Sequence, residues 1–292
     1  MTEVGHRYRA AFAASAERGD GPLLFPFLAA GFPTPAETPN LVRAALRGGA
    51  AGFEIGVPFS DPLADGPVHQ DAYNVALAAG ATLETALDAV RVARAESPDA
   101  PLTLMGYLNP FLACGPVGLD GGAGDPGSAV GEPLEALARR AAEADVDGVI
   151  IVDLPVDESD AAREVLAEHG ISLIYLLAPT STEERIDAVA RQASGFIYLL
   201  SLTGVTGARD QIARDLAAFV GRVKARTDTP LAVGFGISRR EHVLQVGDMV
   251  PAAIIGSALT STIASAPPDG RTAAVERYLE VVTGRRSETT GE

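Results

Sequence analysis

The sequence predicts a single (β/α)8 barrel, and three observations point to it. Eight short apolar segments recur along 292 residues, each followed by a longer stretch of helical spacing, the pattern of parallel strands joined by crossover helices. Eight strands close a barrel, and the length suits one. An open dinucleotide-binding sheet shows the same alternation, but no G-x-G-x-x-G follows the first strand, which favours the barrel.

The elements follow in order. A helix over Val4 to Ala16 precedes the first strand, and the strand runs are "LLFPFLA", "AGFEIGV", "PLTLMGY", "GVIIVDL", "ISLIYLL", "GFIYLLS", "PLAVGFG" and "AAIIGSA". Between them the spacing predicts helices over Glu37 to Gly48, Thr82 to Glu96, Pro133 to Ala144, Glu158 to Glu168, Glu183 to Gln192, Ala213 to Arg226 and Arg240 to Val246. A further short helix opens at Gly256 and Ser257. The Gly- and Pro-rich stretch Ala113 to Pro133 reads as a mobile loop after the third strand, and the polar tail from residue 284 to 292 as a frayed end. Neither is long enough for a second domain, so residues 1–292 are expected to form one.

With 38 acidic residues against 23 basic, the net charge of −15 repels nucleic acid and anionic lipid, and an anionic ligand needs a local site. The lone Cys114 has no disulfide or metal-ligand companion, as expected in a reducing compartment. No apolar run resembles a secretion signal or approaches the roughly 18 residues of a membrane span, so a cytoplasmic location is expected. His6, His69, His169 and His242 are scattered without ligand spacing and read as surface or packing residues.

The segment "FEIGVPFSDPLADGP", from Phe53 to Pro67, sets an acid inside an apolar strand. Strand alternation turns Phe53 and Ile55 outward and Glu54 inward beside Gly52 and Gly56, near the C-terminal mouth where barrel enzymes build their sites. No strand run supplies a Lys or Arg to pair with it, so Glu54 reads as a functional acid. Asp61 and Asp65 follow in a loop stiffened by three prolines, Pro58 among them. Tyr107, Asn109 and Asp153 are further candidates because they stand at strand ends.

An anion site is expected at the same face. Gly256 and Ser257 open a helix just past the last strand, where backbone N–H groups bind phosphate, and "GFGIS" at Gly234 to Ser238 supplies the preceding loop. "SLTGVTGARD" is a candidate lid with hinges at Gly204 and Gly207. The only lysine, Lys224, lies in a helix, which removes Schiff-base aldolase chemistry.

With "FEIGVPFSDPLADGP", "YLLSLTGVTG", "GFGIS" and "IIGSA" in this order, the chain resembles the alpha subunit of tryptophan synthase from about Tyr8 to Thr283. The resemblance implies retro-aldol cleavage of indole-3-glycerol phosphate to indole and glyceraldehyde 3-phosphate. Indole would pass to a beta subunit carrying pyridoxal phosphate (PLP) in an α2β2 heterotetramer, with no cofactor in this chain. By position, Glu54 is similar to the family's proton-shuttling acid, Asp65 to its indole N–H partner and Tyr198 to its active-site tyrosine. Gly207, Gly236, Gly256 and Ser257 match its phosphate-binding positions, and Phe27, Tyr107 and Phe235 join the substrate set. Pro58, Asp61, Asn109 and Thr206 are placed on the partner-facing loops. The chain departs from the family at Ala29, at His69, and in the longer insertion after "GYLNPFL". Alternatives are a free-standing indole-releasing lyase and a weakly catalytic subunit that activates a beta partner. The related barrel indole-glycerol phosphate synthase relies on a strand-end lysine that this chain lacks.

Overall fold

In a computed structural model of the chain, residues 3–19, 21–113, 128–200, 209–234 and 236–287 are described. The strands are β1 Leu23–Ala29, β2 Phe53–Gly56, β3 Leu102–Gly106, β4 Gly148–Ile151, β5 Ser172–Leu173, β6 Tyr175–Leu177, β7 Ile197–Leu200, β8 Leu231–Gly234 and β9 Ala252–Ile255. All pairings are parallel, in the order β5-β4-β3-β2-β1-β9-β8-β7-β6. The two ends of this sheet, β5 and β6, are consecutive pieces of one extended run interrupted only at Ile174, whose N–H donates to the Val149 carbonyl at 2.9 Å. The fifth expected strand is thus present as two, and the chain itself bridges the sheet into a nearly closed barrel.

The surrounding helices are α1 His6–Arg18, α2 Thr38–Arg47, α3 Pro67–Ala78, α4 Leu83–Glu96, α5 Leu108–Leu112, α6 Ser128–Glu143, α7 Asp160–Glu168, α8 Glu183–Gln192, α9 Arg209–Lys224, α10 Arg240–Gly247, α11 Ser257–Ser265 and α12 Arg271–Thr283. Helix α6 starts at Ser128 and contains Pro133, so the helix begins five residues before the expected end of the loop; residues 114–127 lie outside the described ones. Helices α3, α5 and α12 have no counterpart among the sequence expectations. Pro67 at the first position of α3 is a start signal, but the acid loop runs straight into it without a boundary of composition. In α12 the buried Val275, Leu279 and Val282 form a regular apolar stripe.

Strand alternation divides the apolar residues into two clusters. Phe53, Ile55, Leu102, Leu104, Val149 and Ile151 face the helix layer, whereas Phe25, Ile150, Ile174, Phe196, Tyr198, Ala232, Ala252 and Ile254 fill the barrel. Large and small interior residues complement each other: at Gly52 a Cβ would lie 3.0 Å from the Phe25 ring. Helix α1 sends Tyr8 and Phe12 into the N-terminal end of this interior, where the Tyr8 ring lies 5.3 Å from Phe196 and its hydroxyl 2.6 Å from Thr103 Oγ1. That end is therefore plugged, and open space is left at the other.

Candidate active site

At the C-terminal mouth a cavity of ≈ 350 Å³ opens. Glu54, Asp65, His69, Tyr198, Gly236, Gly256 and Ser257 line it together with Phe27. Register places Phe27, Glu54 and Thr103 side by side on β1, β2 and β3, with Glu54 on the interior face as alternation requires.

Glu54 is 1% exposed, and its Oε1 has no hydrogen-bond partner. Burial pushes its carboxyl from the ordinary value of 4.5 up to about 8, so near neutrality it holds its proton. Gly56, next on this face, keeps the mouth open, since a Cβ there would lie 2.5 Å from the Phe27 ring and 2.7 Å from the Tyr73 hydroxyl.

Asp65 is fixed from two sides. Its Oδ2 accepts a 2.6 Å hydrogen bond from the Tyr107 hydroxyl, while Oδ1 lies 3.5 Å from His69 Nδ1. The same Tyr107 oxygen accepts from the Ala64 N–H at 3.0 Å, and Gln70 Nε2 donates to the Asp65 carbonyl at 2.8 Å, so the loop is tied at consecutive residues. Tyr107 thus acts on Asp65 rather than on the cavity. Burial, then the hydrogen bond and charge of Asp65, push its hydroxyl above the usual tyrosine range. Tyr198 faces the cavity from β7. Burial raises its pKa well above the usual value, with the Glu54 and Asp65 carboxylates adding to the effect. Its hydroxyl fits only because Gly234 has no side chain: a Cβ there would collide with it.

On the opposite wall Gly256 precedes α11, whose first backbone N–H groups have no intrahelical acceptors, and Gly256, Ser257 and Ala258 line the mouth. Gly236 stands beside it with φ of 76°, a left-handed conformation that glycine adopts without strain. Pro58 is buried at the root of the acid loop, while Asp61 and Asn109 are exposed at the rim. Thr206, Gly207 and Phe235, like Gly204 and the rest of the candidate lid up to residue 208, lie outside the described residues.

Two buried, unpartnered polar groups, one lining the cavity and one beneath it at Gly56, escaped the sequence reading. His69, expected as a packing or surface residue, lines the cavity with its ring stacked on Phe27 at 4.5 Å, and its Nε2 is buried without a partner. Tyr73, one turn further along α3, also buries an unpartnered hydroxyl beside Gly56. Their signal was the α3 helix itself, which sets residues four apart on one face. Asp153 proves to be structural: its Oδ1 accepts the Leu108 N–H at 2.8 Å at the start of α5, and it does not line the cavity. Among the described residues no cluster of three or more His, Cys, Asp or Glu forms a metal cage, and no helix is long and apolar enough to cross a membrane.

Comparison with known proteins adds an independent finding. The sequence profile of the family described as Tryptophan synthase alpha chain matches residues 12–289. A tryptophan synthase alpha chain from Solibacter usitatus is 41% identical over 283 residues, covering 97% of this chain and 96% of that one. The crystal structure of tryptophan synthase subunit alpha from Legionella pneumophila superposes with a TM-score of 0.81 at 31% identity, covering 95% of this chain and 97% of the other. A structure of the tryptophan synthase α2β2 complex from Pyrococcus furiosus contains a chain that superposes with a TM-score of 0.78 at 33% identity, covering 90% of this chain and 98% of that one.

Proposed function

The chain belongs to the tryptophan synthase alpha-chain family, and from that premise we propose that it is a lyase cleaving indole-3-glycerol phosphate to indole and glyceraldehyde 3-phosphate. The observation that carries this reading is the buried, unpartnered, proton-holding Glu54 across one cavity from a fixed Asp65.

The chemistry is a retro-aldol reaction. Indole C3 must first gain a proton, so that the ring can accept the electron pair of the C3–glycerol bond as it breaks. Glu54 is the donor, since its raised pKa keeps a transferable proton at neutral pH. The positive charge that grows on the indole nitrogen is met by Asp65, held in place beforehand by Tyr107. As carboxylate, Glu54 then takes the proton of the hydroxyl next to the breaking bond, an aldehyde forms, and the acid is regenerated without net proton change. Tyr198 and Phe27 bound the indole pocket. The phosphate rests on the backbone at Gly236, Gly256 and Ser257; Gly207 and Phe235, which the family resemblance assigns to the same role, lie outside the described residues.

Indole then passes to a beta subunit that holds PLP, in an α2β2 assembly located in the cytoplasm, while this chain itself works without a cofactor. The docking face is the mouth rim where Asp61 and Asn109 are exposed; beside them Leu63 is 82% exposed, an apolar side chain suited to burial under a partner, whereas Pro58 is buried below the rim and Thr206 lies outside the described residues. The test is indole release from indole-3-glycerol phosphate, measured with and without a beta subunit. The beta subunit should raise turnover, and by linkage glycerol 3-phosphate should tighten association of the two chains by the same factor that the beta subunit tightens its binding. No indole release in either case would refute the assignment.

A further inference from the structure

The cavity must receive a phosphate dianion, yet among its described lining residues there is no arginine and no lysine; its acidic side chains are Glu54, which holds its proton, and Asp65. His69 is the one described lining residue able to become cationic. It stands in the first turn of α3, its N–H bonded to the Gly66 carbonyl at 3.0 Å, so backbone and ring are both positioned. Stacking on Phe27 fixes the ring plane. Nδ1 faces Asp65 Oδ1 at 3.5 Å, while the Nε2 edge lies over Gly256, where a Cβ would come within 3.0 Å of that nitrogen. One edge of the imidazole therefore addresses the carboxylate of the indole half, and the other addresses the glycine that opens α11 in the phosphate half.

We propose that His69 is the titratable cation of the substrate site, becoming imidazolium when a phosphate ester binds at the start of α11 and joining that anion to Asp65 through its charge. This rests on the phosphate placement given above. The imidazolium then lies between two anions in a pocket whose described lining residues carry no other positive charge, and phosphate affinity gains a dependence on one proton. The groups that share the cavity with it are Asp65 from the acid loop, Glu54 from β2, Tyr198 from β7 and the backbone of α11, with Tyr107 reaching it through Asp65 and Tyr73 standing four residues further along α3. A buried nitrogen without a partner is rare in a packed protein, and an arriving anion gives it a role.

An opposite charge at this range raises an imidazole by about one pKa unit or more, which makes the protonated site bind roughly tenfold tighter. Calorimetric titration with glycerol 3-phosphate, in buffers of different ionisation enthalpy, reads both affinity and proton uptake for the intact chain and its His69→Gln variant. Near pH 6 the variant should bind roughly tenfold more weakly, near neutral pH it should take up fewer protons on binding, and near pH 8.5 the two should converge. Comparing the two chains cancels the ligand's own titration. A second measurement needs no variant to fold: the His69 ring resonances of the intact chain should titrate at higher pH when glycerol 3-phosphate is bound. Equal affinities near pH 6 and equal proton counts near neutral pH, or a His69 midpoint indifferent to ligand, overturn the proposal while leaving the phosphate site intact. Failure of the intact chain to bind glycerol 3-phosphate at all overturns the phosphate placement, and this inference with it.

Discussion

The two ends of the barrel treat buried charge in opposite ways. At the N-terminal end Asp147 is enclosed by cations: its oxygens lie 2.8 Å from Arg7 Nη1 and 2.6 Å from Arg94 Nη2, and it also accepts the Leu102 N–H at 2.8 Å. Asp145 joins the same arginines at 3.0 Å. At the C-terminal mouth Glu54 is as deeply buried, but among the described residues no cation meets it and one oxygen is left without a partner. A paired carboxylate in the interior is satisfied and inert, whereas an unpaired one keeps its proton and can transfer it. The same residue class thus serves as a brace at one end and as an acid at the other, and the difference lies in the partners that the fold supplies.

The largest expected effect breaks the mouth. Glu54→Gln preserves shape and removes the transferable proton, so turnover should fall by on the order of 10² to 10⁴, measured as indole release; near-normal turnover would remove Glu54 from the chemistry. The same variant sharpens the contrast in stability. Because the folded carboxyl titrates at about 8 and the ordinary value is 4.5, the native protein retains a proton that the unfolded chain gives up. Its contribution to stability is fully present below pH 4.5 and is lost as pH rises through about 8. That linkage amounts to roughly 5 kcal/mol at most, since each pKa unit is worth about 1.4 kcal/mol. Denaturant unfolding at pH 5 and pH 9 should show Glu54→Gln gaining on the native chain across this interval, and a constant difference would contradict the titration.

Next in size is the brace. Asp147→Ala removes the buried carboxylate shared by Arg7 and Arg94, leaving Asp145 as their remaining acidic partner, and should cost about 3 kcal/mol of stability, read by denaturant unfolding, while glycerol 3-phosphate affinity stays near its native value. Loss of ligand binding in a folded variant would mean that the two ends are coupled. Asp65→Asn should then lower turnover roughly 10²-fold with little effect on glycerol 3-phosphate affinity near pH 8.5, where the His69 contribution proposed above is lost, separating rate from binding; parallel losses at that pH would indicate a collapsed acid loop instead. Smallest is Tyr8→Phe, which removes the hydroxyl contact with Thr103 and should cost about 1 kcal/mol without altering turnover.

Much of the site was legible because its signals are local. An acid in an apolar strand, a Pro-stiffened loop after it and a glycine at a helix start each lie within a few residues, and strand alternation alone turns Glu54 inward. What was not legible depends on neighbours far apart in the chain. His69 looked like a packing residue because its partners, Phe27 on β1 and Gly256 before α11, meet it only across the closed barrel. Tyr107 gave no sign beyond its strand-end position that it holds Asp65, since that contact forms between the ends of β3 and the acid loop. Asp153 carried the same strand-end signal and proved to support α5.

The sequence by itself determined the alternation of strands and helices, the barrel that follows from eight repeats, and the inward turn of Glu54, because periods of two and of 3.6 residues are properties of the backbone. Only the tertiary structure decided which carboxylates are paired and which are left alone. Pairing and the pKa values that follow from it depend on distances of a few ångströms between residues brought together by barrel closure, and no local period encodes those distances.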